Sequence, residues 1–257
     1  PIPAPSAALL PWQTGPQLGH GVAFKDTKNA AGDNVFLGYA GYQVPLDSAE
    51  AWVDALYEAA LAARGVRYVW AVQGPNDRTY SNHEIGNSKI LGTLLPLVGP
   101  RTHFVLVAGH SSGSFVAHEL LAKLAGGVDA QGVTAGRVVY FDLDGGESGL
   151  TPPSIARLRH AYFVGAHDGT TGTDSPRLPT MRTLGATYAS AGGYWQYDAG
   201  DAGCRAGATW CVHDALITTR PHAPTRASGA LDYSDFSGRS VCDGWIEAKA
   251  VEAGLAP

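Results

Sequence analysis

The chain has 257 residues, of which 45% are hydrophobic and only 16% are charged. A chain this long and this apolar can bury a sizeable core, which excludes wholesale disorder. Its formal net charge is −5, from 18 basic and 23 acidic residues, so no basic surplus exists to neutralise nucleic-acid phosphates and we expect no nucleic-acid partner. No apolar run approaches the roughly 20 residues of a membrane helix, so we also expect no transmembrane segment.

The first half of the chain opens on an irregular stretch and then begins to alternate between strand and helix patterns. Residues 1–21 are rich in Pro and Gly, and we expect them to wrap the surface as a lead-in. Asn34–Gly38 is short and apolar, which predicts a buried strand. Asp47 is a candidate N-cap with Glu50 three positions later, and the helix that they begin should end at Gly65.

The same alternation continues to about residue 197. Strands are predicted at Val66–Val72, His103–Ala108, Arg137–Leu143, Ala161–Gly165 and Tyr194–Tyr197. Helices are predicted over residues 83–98, Ser114–Ala125 and residues 177–191. This pattern is typical of an α/β protein with a mostly parallel central sheet and helices on both faces. No linker divides the chain, so we expect a single domain over residues 1–257, with residues 223–257 packed on it as a tail.

The segment with the clearest chemical signal is Gly109-His110-Ser111-Ser112-Gly113, which lies between a predicted strand and a predicted helix. A Gly-x-Ser-x-Gly sequence in this context predicts a nucleophile elbow. The turn is so tight that the serine takes a strained backbone conformation, and its neighbours two positions away must be very small. Ser111 would then stand above the sheet, with the Ser112 backbone N–H and the helix N-terminus directed at a developing oxyanion.

With this motif the chain resembles the α/β-hydrolase superfamily, and the Gly-His-Ser-Ser-Gly spelling is similar to that of lipases and esterases. The resemblance covers roughly residues 34–220 as an order of strands and helices. Ser114 departs from it, since many lipases have a second glycine at that position. The resemblance implies a serine nucleophile followed in the chain by an acid and then a histidine.

That order leaves His213 and His222 as the candidate bases. His213 follows the last predicted strand, where the superfamily has its base, and we favour it over His222, which lies in a proline-flanked loop. For the acid we favour Asp168, just after the predicted strand at Ala161–Gly165, which is the usual acid position in the superfamily. Asp144 and Asp142, at the end of the strand before it, stay open as alternatives because some members take their acid there.

A second oxyanion donor is expected from the loop after Asn34–Gly38, where Gly41 and Tyr42 are the candidates. Cys204, Cys211 and Cys242 allow three alternative disulfides, and the sequence does not choose among them. The carboxylates and histidines have no zinc or calcium spacing, so we expect neither a catalytic metal nor another cofactor.

Together these residues predict a serine hydrolase that cleaves a small or polymeric carboxylic ester through an acyl-enzyme. An amidase, peptidase or thioesterase with the same triad is one alternative, and a catalytically inactive binding protein on the same fold is another. The three cysteines and the Pro/Ala-rich opening Pro1–Pro5, which reads as a trimmed start, lead us to expect a secreted or otherwise extracytoplasmic protein. The sequence leaves the oligomeric state open.

Overall fold

The computed structural model describes residues 11–75, 83–126, 135–145 and 155–217, and these build one 8-stranded sheet. The strands are β1 (Val22–Asp26), β2 (Asn34–Tyr39), β3 (Val66–Val72), β4 (Val105–His110), β5 (Val138–Leu143), β6 (His160–Asp168), β7 (Thr173–Asp174) and β8 (Gly192–Asp198). Their order is β1-β3-β2-β4-β5-β6, with β7 and β8 both paired to β6. All pairings are parallel except those of β1 with β3 and of the short β7 with β6.

Helices cover both faces of this sheet. They are α1 (Leu46–Leu56), α2 (His83–Leu94), α3 (Gly113–Ala125), α4 (Leu178–Thr187) and α5 (Thr209–Asp214). Successive strand residues point to opposite faces, so the core has two parts. One part joins the sheet to α1 and α5, and the other joins it to α2, α3 and α4. The strands β2, β4 and β5 are buried along their whole length, as expected of a sheet covered on both sides. The predicted fold class, a mostly parallel sheet with helices on both faces, is confirmed. Among the helices of the described ranges, none has the length and apolar character needed to cross a membrane.

The start of α1 differs from the prediction. The helix begins at Leu46, directly after Pro45, so Asp47 lies inside the first turn and is not the N-cap. Its carboxylate accepts the N–H of Ser48 at 2.7 Å, and the capping pair expected with Glu50 is not formed at the N-cap. Proline explains the earlier start, because its fixed φ suits a helix entry. After Leu56 the helical path continues as a π-helix, Tyr57–Leu61, and a 3-10 helix, Ala62–Arg64. It ends at the predicted residue, Gly65, which takes a left-handed conformation with φ 67°.

Strand β1 was not predicted. It pairs antiparallel with β3, and Gln13 in the predicted lead-in extends this edge by bonding to Phe24 through both backbone groups, at 2.8 and 2.9 Å. A charged residue hid the strand pattern: Lys25 is only 2% exposed and its ammonium binds the Asp54 carboxylate on α1 at 2.6 Å. Burial of a lysine depends on such a partner, which lies far away in the sequence. Residues 1–10 and 223–257 lie outside the described residues.

Candidate active site

Ser111 lies in a strained turn between β4 and α3. Its φ is 53°, in the left-handed region that non-glycine residues rarely adopt. The turn is held at both sides, because the Ser111 N–H donates to the Leu143 carbonyl at 3.0 Å and the Ser111 carbonyl accepts the Ser114 N–H at 3.1 Å. The side chain is only half-buried. The strand–turn–helix predicted around Ser111 is therefore the observed backbone.

The two glycines that flank this turn have no room for a side chain. A Cβ at Gly109 would lie 2.7 Å from the Ser114 Cα, and one at Gly113 would lie 2.3 Å from the Ala40 carbonyl oxygen. These distances are far below van der Waals contact. The Gly-x-Ser-x-Gly spacing is thus required by the close approach of α3 to the ends of β2 and β4.

A buried acid–base pair lies beside this turn. Nδ1 of His213 is 2.5 Å from Oδ2 of Asp144, and the two side chains are 1% and 0% exposed. Asp144 follows the end of β5 and, like Ser111, has a left-handed backbone, with φ 56°. Because Ser111 bonds the carbonyl of Leu143, the elbow is anchored to the residue immediately before Asp144.

The second oxygen of Asp144 is also engaged. Ser175 donates its hydroxyl to Oδ1 of Asp144 at 2.7 Å. Burial raises the pKa of the Asp144 carboxyl to about 8, while the hydrogen bond from Ser175 and the positive charge of Arg177 oppose that rise. A raised pKa for a carboxyl in contact with an imidazole is typical of functional sites.

The carboxylate that contacts Nδ1 of His213 is that of Asp144 and not that of Asp168, which the sequence analysis favoured. The Asp168 carboxylate instead accepts the backbone N–H groups of Thr170 and Thr171, at 2.9 and 3.0 Å. It therefore organises its own turn, as aspartates in loops often do. Asp144, the alternative at the end of the preceding strand, takes the place beside His213.

Asp142, the other alternative, belongs to a separate buried network. It accepts the Ser114 hydroxyl at 2.9 Å and the Gly145 N–H at 2.8 Å, and its second oxygen lies 3.1 Å from Nε2 of His118. This network connects α3 to the loop after β5. It also explains the departure at Ser114, because the hydroxyl that a second glycine would lack bridges Asp142 and the Gly109 carbonyl.

Two aromatic rings lie against the imidazole of His213. The His110 ring centroid is 4.6 Å away, and the Trp210 ring meets His213 edge-on at 5.0 Å. In addition, Nε2 of His110 lies 3.4 Å from the His213 carbonyl oxygen. Since His110 directly precedes Ser111 in the chain, this tilted ring contact brings the turn at Ser111 close to His213. His222, the alternative base, lies outside the described residues.

The loop expected to supply an oxyanion donor passes directly beside the elbow. Gly113, at the start of α3, packs against the carbonyls of Tyr39 and Ala40 at the end of β2. In the turn that follows, the Gly41 carbonyl accepts the Val44 N–H at 3.1 Å. Tyr42 is exposed. Gly41, Tyr42 and Ser112 therefore lie around the same corner of the sheet.

A disulfide links Cys204 to Cys211. This is one of the three pairings that the sequence allowed, and Cys242 lies outside the described residues. Cys211 is on α5, two residues before His213, and is fully buried. The disulfide therefore ties the helix of the candidate base to the loop that leads into it.

We expect removal of this disulfide to destabilise the protein. Closing a short loop by a disulfide contributes about 2 kcal/mol, so the double variant Cys204→Ser/Cys211→Ser should lose about 5 °C in Tm. The measurement is thermal unfolding of wild type and variant with and without reductant. Reductant should lower the Tm of the wild type only, and an equal response of both proteins would contradict a structural role.

The site thus combines a hydroxyl on a strained turn with a buried imidazole–carboxylate pair, which is the equipment of nucleophilic catalysis. Across the described ranges, no three His, Cys, Asp or Glu side chains are grouped so that they could hold a metal ion.

Comparisons with known proteins yield distant structural similarity alone. No family model matches the chain, and neither does any curated protein. The chain is similar to a dienelactone hydrolase-like promiscuous phosphotriesterase from metagenomic libraries, with 14% identity, a TM-score of 0.42 and coverage of 91% of this chain and 89% of that one. It is also similar to an AqdC variant that recognises and ring-cleaves the Pseudomonas quinolone signal, with 16% identity, a TM-score of 0.34 and coverage of 92% and 71%. These scores are too low to assign the chain to a family.

Proposed function

We propose that this protein is a serine hydrolase that cleaves carboxylic esters through an acyl-enzyme, with Ser111 as nucleophile, His213 as base and Asp144 as acid. The observation that carries the proposal is the buried pair of His213 and Asp144, 2.5 Å apart, next to a serine held at a φ of 53°. A serine hydroxyl is a weak nucleophile alone and needs a base that a third group orients.

In the first half of the reaction, the Ser111 hydroxyl oxygen attacks the ester carbonyl carbon while Nε2 of His213 takes the hydroxyl proton. Nδ1 of His213 keeps its proton and donates to Asp144, which fixes the tautomer of the ring and stabilises its charged form. The tetrahedral intermediate then collapses, and the imidazolium gives its proton to the leaving alcohol. The acyl group remains on Ser111.

In the second half, His213 takes a proton from water and the resulting hydroxide attacks the acyl carbon. Collapse of the second tetrahedral intermediate returns the proton to Ser111 and releases the acid. Both intermediates carry an oxyanion, for which we infer donors in the backbone N–H groups of Ser112 and of Gly41 or Tyr42. The packing of Gly113 against the end of β2 supports this inference because it brings the two loops together.

The surroundings of His213 support two further parts of the proposal, which are the location of the protein and the binding of its ester substrate. The Cys204–Cys211 disulfide supports an extracytoplasmic location, since disulfides persist mainly in oxidising compartments. Trp210 packs edge-on against His213 and offers an apolar wall for the acyl or alcohol part of the ester.

A fluorophosphonate probe tests the nucleophile directly. Folded wild type should gain a single adduct on the peptide containing Ser111, detected by intact-protein and peptide mass. Neither Ser111→Ala nor heat-unfolded wild type should gain it, because the reaction depends on the assembled triad. An adduct at another residue would reject Ser111 as the nucleophile. No adduct on folded wild type would reject the proposal and favour a catalytically inactive binding protein. Rates on matched ester, amide and thioester substrates then distinguish the bond types.

A further inference from the structure

Ser175 is a buried serine that the proposed reaction does not use. Its side chain is only 2% exposed, and its hydroxyl donates to Oδ1 of Asp144 at 2.7 Å. His213 contacts the other oxygen, Oδ2. Asp144 is therefore held from two sides by His213 and Ser175, and a backbone hydrogen bond from Ala166 also favours its charged form.

The fold delivers Ser175 to this place through a dedicated hairpin. The end of β6 turns back into β7, which pairs Asp168 with Thr173 and His167 with Asp174. The Asp168 carboxylate holds this turn by accepting two backbone N–H groups. The Ser175 N–H then donates to the Ala166 carbonyl at 3.0 Å, which fixes the backbone under Asp144.

We propose that Ser175 is a positioning residue that locks the Asp144 carboxylate in the orientation in which Oδ2 faces His213 and supports its negative charge. This inference rests on the proposed function. Asp144 is fully buried, so without Ser175 its Oδ1 would lose a donor that water cannot replace easily. The carboxylate would then be freer to rotate and less stable in its charged form.

The charged and titratable groups around Asp144 act on its negative charge in opposite directions. Asp142, two residues earlier, disfavours the Asp144 charge, and Arg177, just before α4, favours it. Burial raises the pKa of Tyr194 on β8, and the negative charge of Asp144 adds to that rise. His213 on α5 contacts the Asp144 carboxylate directly. Ser175 adds a neutral donor to Oδ1, and its hydrogen bond lowers the pKa of Asp144.

The test is the pH dependence of ester hydrolysis by Ser175→Ala. The acid limb of kcat/KM reports the pair of His213 and Asp144 as a unit, because strongly interacting groups titrate together. Loss of the Ser175 donor makes Asp144 hold a proton more tightly, so the limb should move to higher pH by about one unit. At a fixed pH below this limb, the kcat of Ser175→Ala should be roughly tenfold lower than that of wild type, with KM little changed.

Two further variants make the test specific. Ser175→Thr keeps a hydroxyl and should restore most of the pH profile. Thr102→Val removes another buried hydroxyl, which donates to the Asp33 carbonyl at 3.0 Å near the amino ends of the strands. It should lower stability without moving the acid limb.

The outcomes separate this inference from the proposed function. If wild type hydrolyses esters and Ser175→Ala keeps the wild-type acid limb and kcat, the positioning role is rejected while the proposed function stands. If the limb moves equally in Ser175→Ala and Thr102→Val, the effect is general destabilisation and the role is again rejected. If wild type has neither hydrolysis nor a probe adduct, the proposed function itself fails.

Discussion

Replacing His213 with glutamine should lower kcat/KM for an activated ester by roughly 10⁴-fold. Glutamine fills a similar volume and can still bond to Asp144, but it cannot take a proton from Ser111. The fluorophosphonate labelling rate should fall in parallel, since attack on phosphorus needs the same base. Steady-state kinetics and time-resolved labelling on folded protein provide the measurement.

The matched control is His167→Gln. His167 also bonds a carboxylate, with its Nδ1 2.6 Å from Oδ1 of Asp174, and the amide of a glutamine can still donate to Asp174, so the pairing of β6 with β7 should be kept. Its replacement should leave kcat/KM within about threefold of wild type. Retention of near-normal rates by His213→Gln would direct attention to His222 as the base.

Replacing Asp144 with asparagine should lower kcat by roughly 10³–10⁴-fold. An amide at this position either loses the bond to His213 or presents its NH₂ group and selects the wrong tautomer, and it cannot stabilise the imidazolium. Asp168→Asn is the matched control, and it should retain most of the activity because the asparagine Oδ1 can still accept the two backbone N–H groups that hold this turn. The comparison uses kcat for both variants on one ester, and a larger loss in Asp168→Asn would reverse the assignment of the acid.

The same variant predicts how stability depends on pH. An ordinary aspartate ionises near pH 3.9 when unfolded, whereas burial raises the pKa of Asp144 to about 8. Between these values the folded pair of Asp144 and His213 holds a proton that the unfolded aspartate has released, so this carboxyl contributes less stability as the pH rises. The ionised carboxylate that the proposed reaction uses therefore prevails above about pH 8. Relative to Asp144→Asn, wild type should therefore lose stability from about pH 4 to about pH 8. Urea unfolding of both proteins across this range measures the difference, and a constant difference would contradict the prediction.

The fold and the elbow were predictable because local patterns encode them. Buried parallel strands have continuous apolar runs, such as Phe104–Ala108, and the close packing of Gly109 and Gly113 leaves a glycine signature in the sequence. Steric constraints of this kind act within a few residues of the chain. Sequence reasoning therefore predicted the strand-to-helix turn that carries Ser111, the proposed nucleophile.

The choice of acid was not predictable in the same way. Asp142, Asp144 and Asp168 all lie at or just after the carboxyl ends of β5 and β6, at one edge of the sheet. Which of them meets His213 depends on the left-handed turn at Asp144 and on the local hydrogen bonds that engage Asp168. The spacing of the residues in the sequence predicts neither the turn nor these hydrogen bonds. His213 lies about 100 residues after Ser111 in the chain. The two residues come together only in the folded structure.

Ser175 illustrates the part of a site that sequence reasoning misses altogether. A single serine in a loop has no periodicity or motif, and its value depends on a hairpin whose strand β7 has 2 residues. Lys25 was missed for a related reason, because a lysine normally marks solvent and its partner Asp54 is distant in sequence. In both cases one polar contact across the fold decides the role.

The left-handed backbone at both Ser111 and Asp144 also has an evolutionary consequence. Such conformations cost a non-glycine residue of order 1–3 kcal/mol, and glycine relieves that cost. Selection for thermal stability alone would therefore favour glycine at these two positions and would remove the hydroxyl and the carboxylate together. If the proposed function holds, a screen for stabilised variants that retain hydrolysis should leave both positions unchanged.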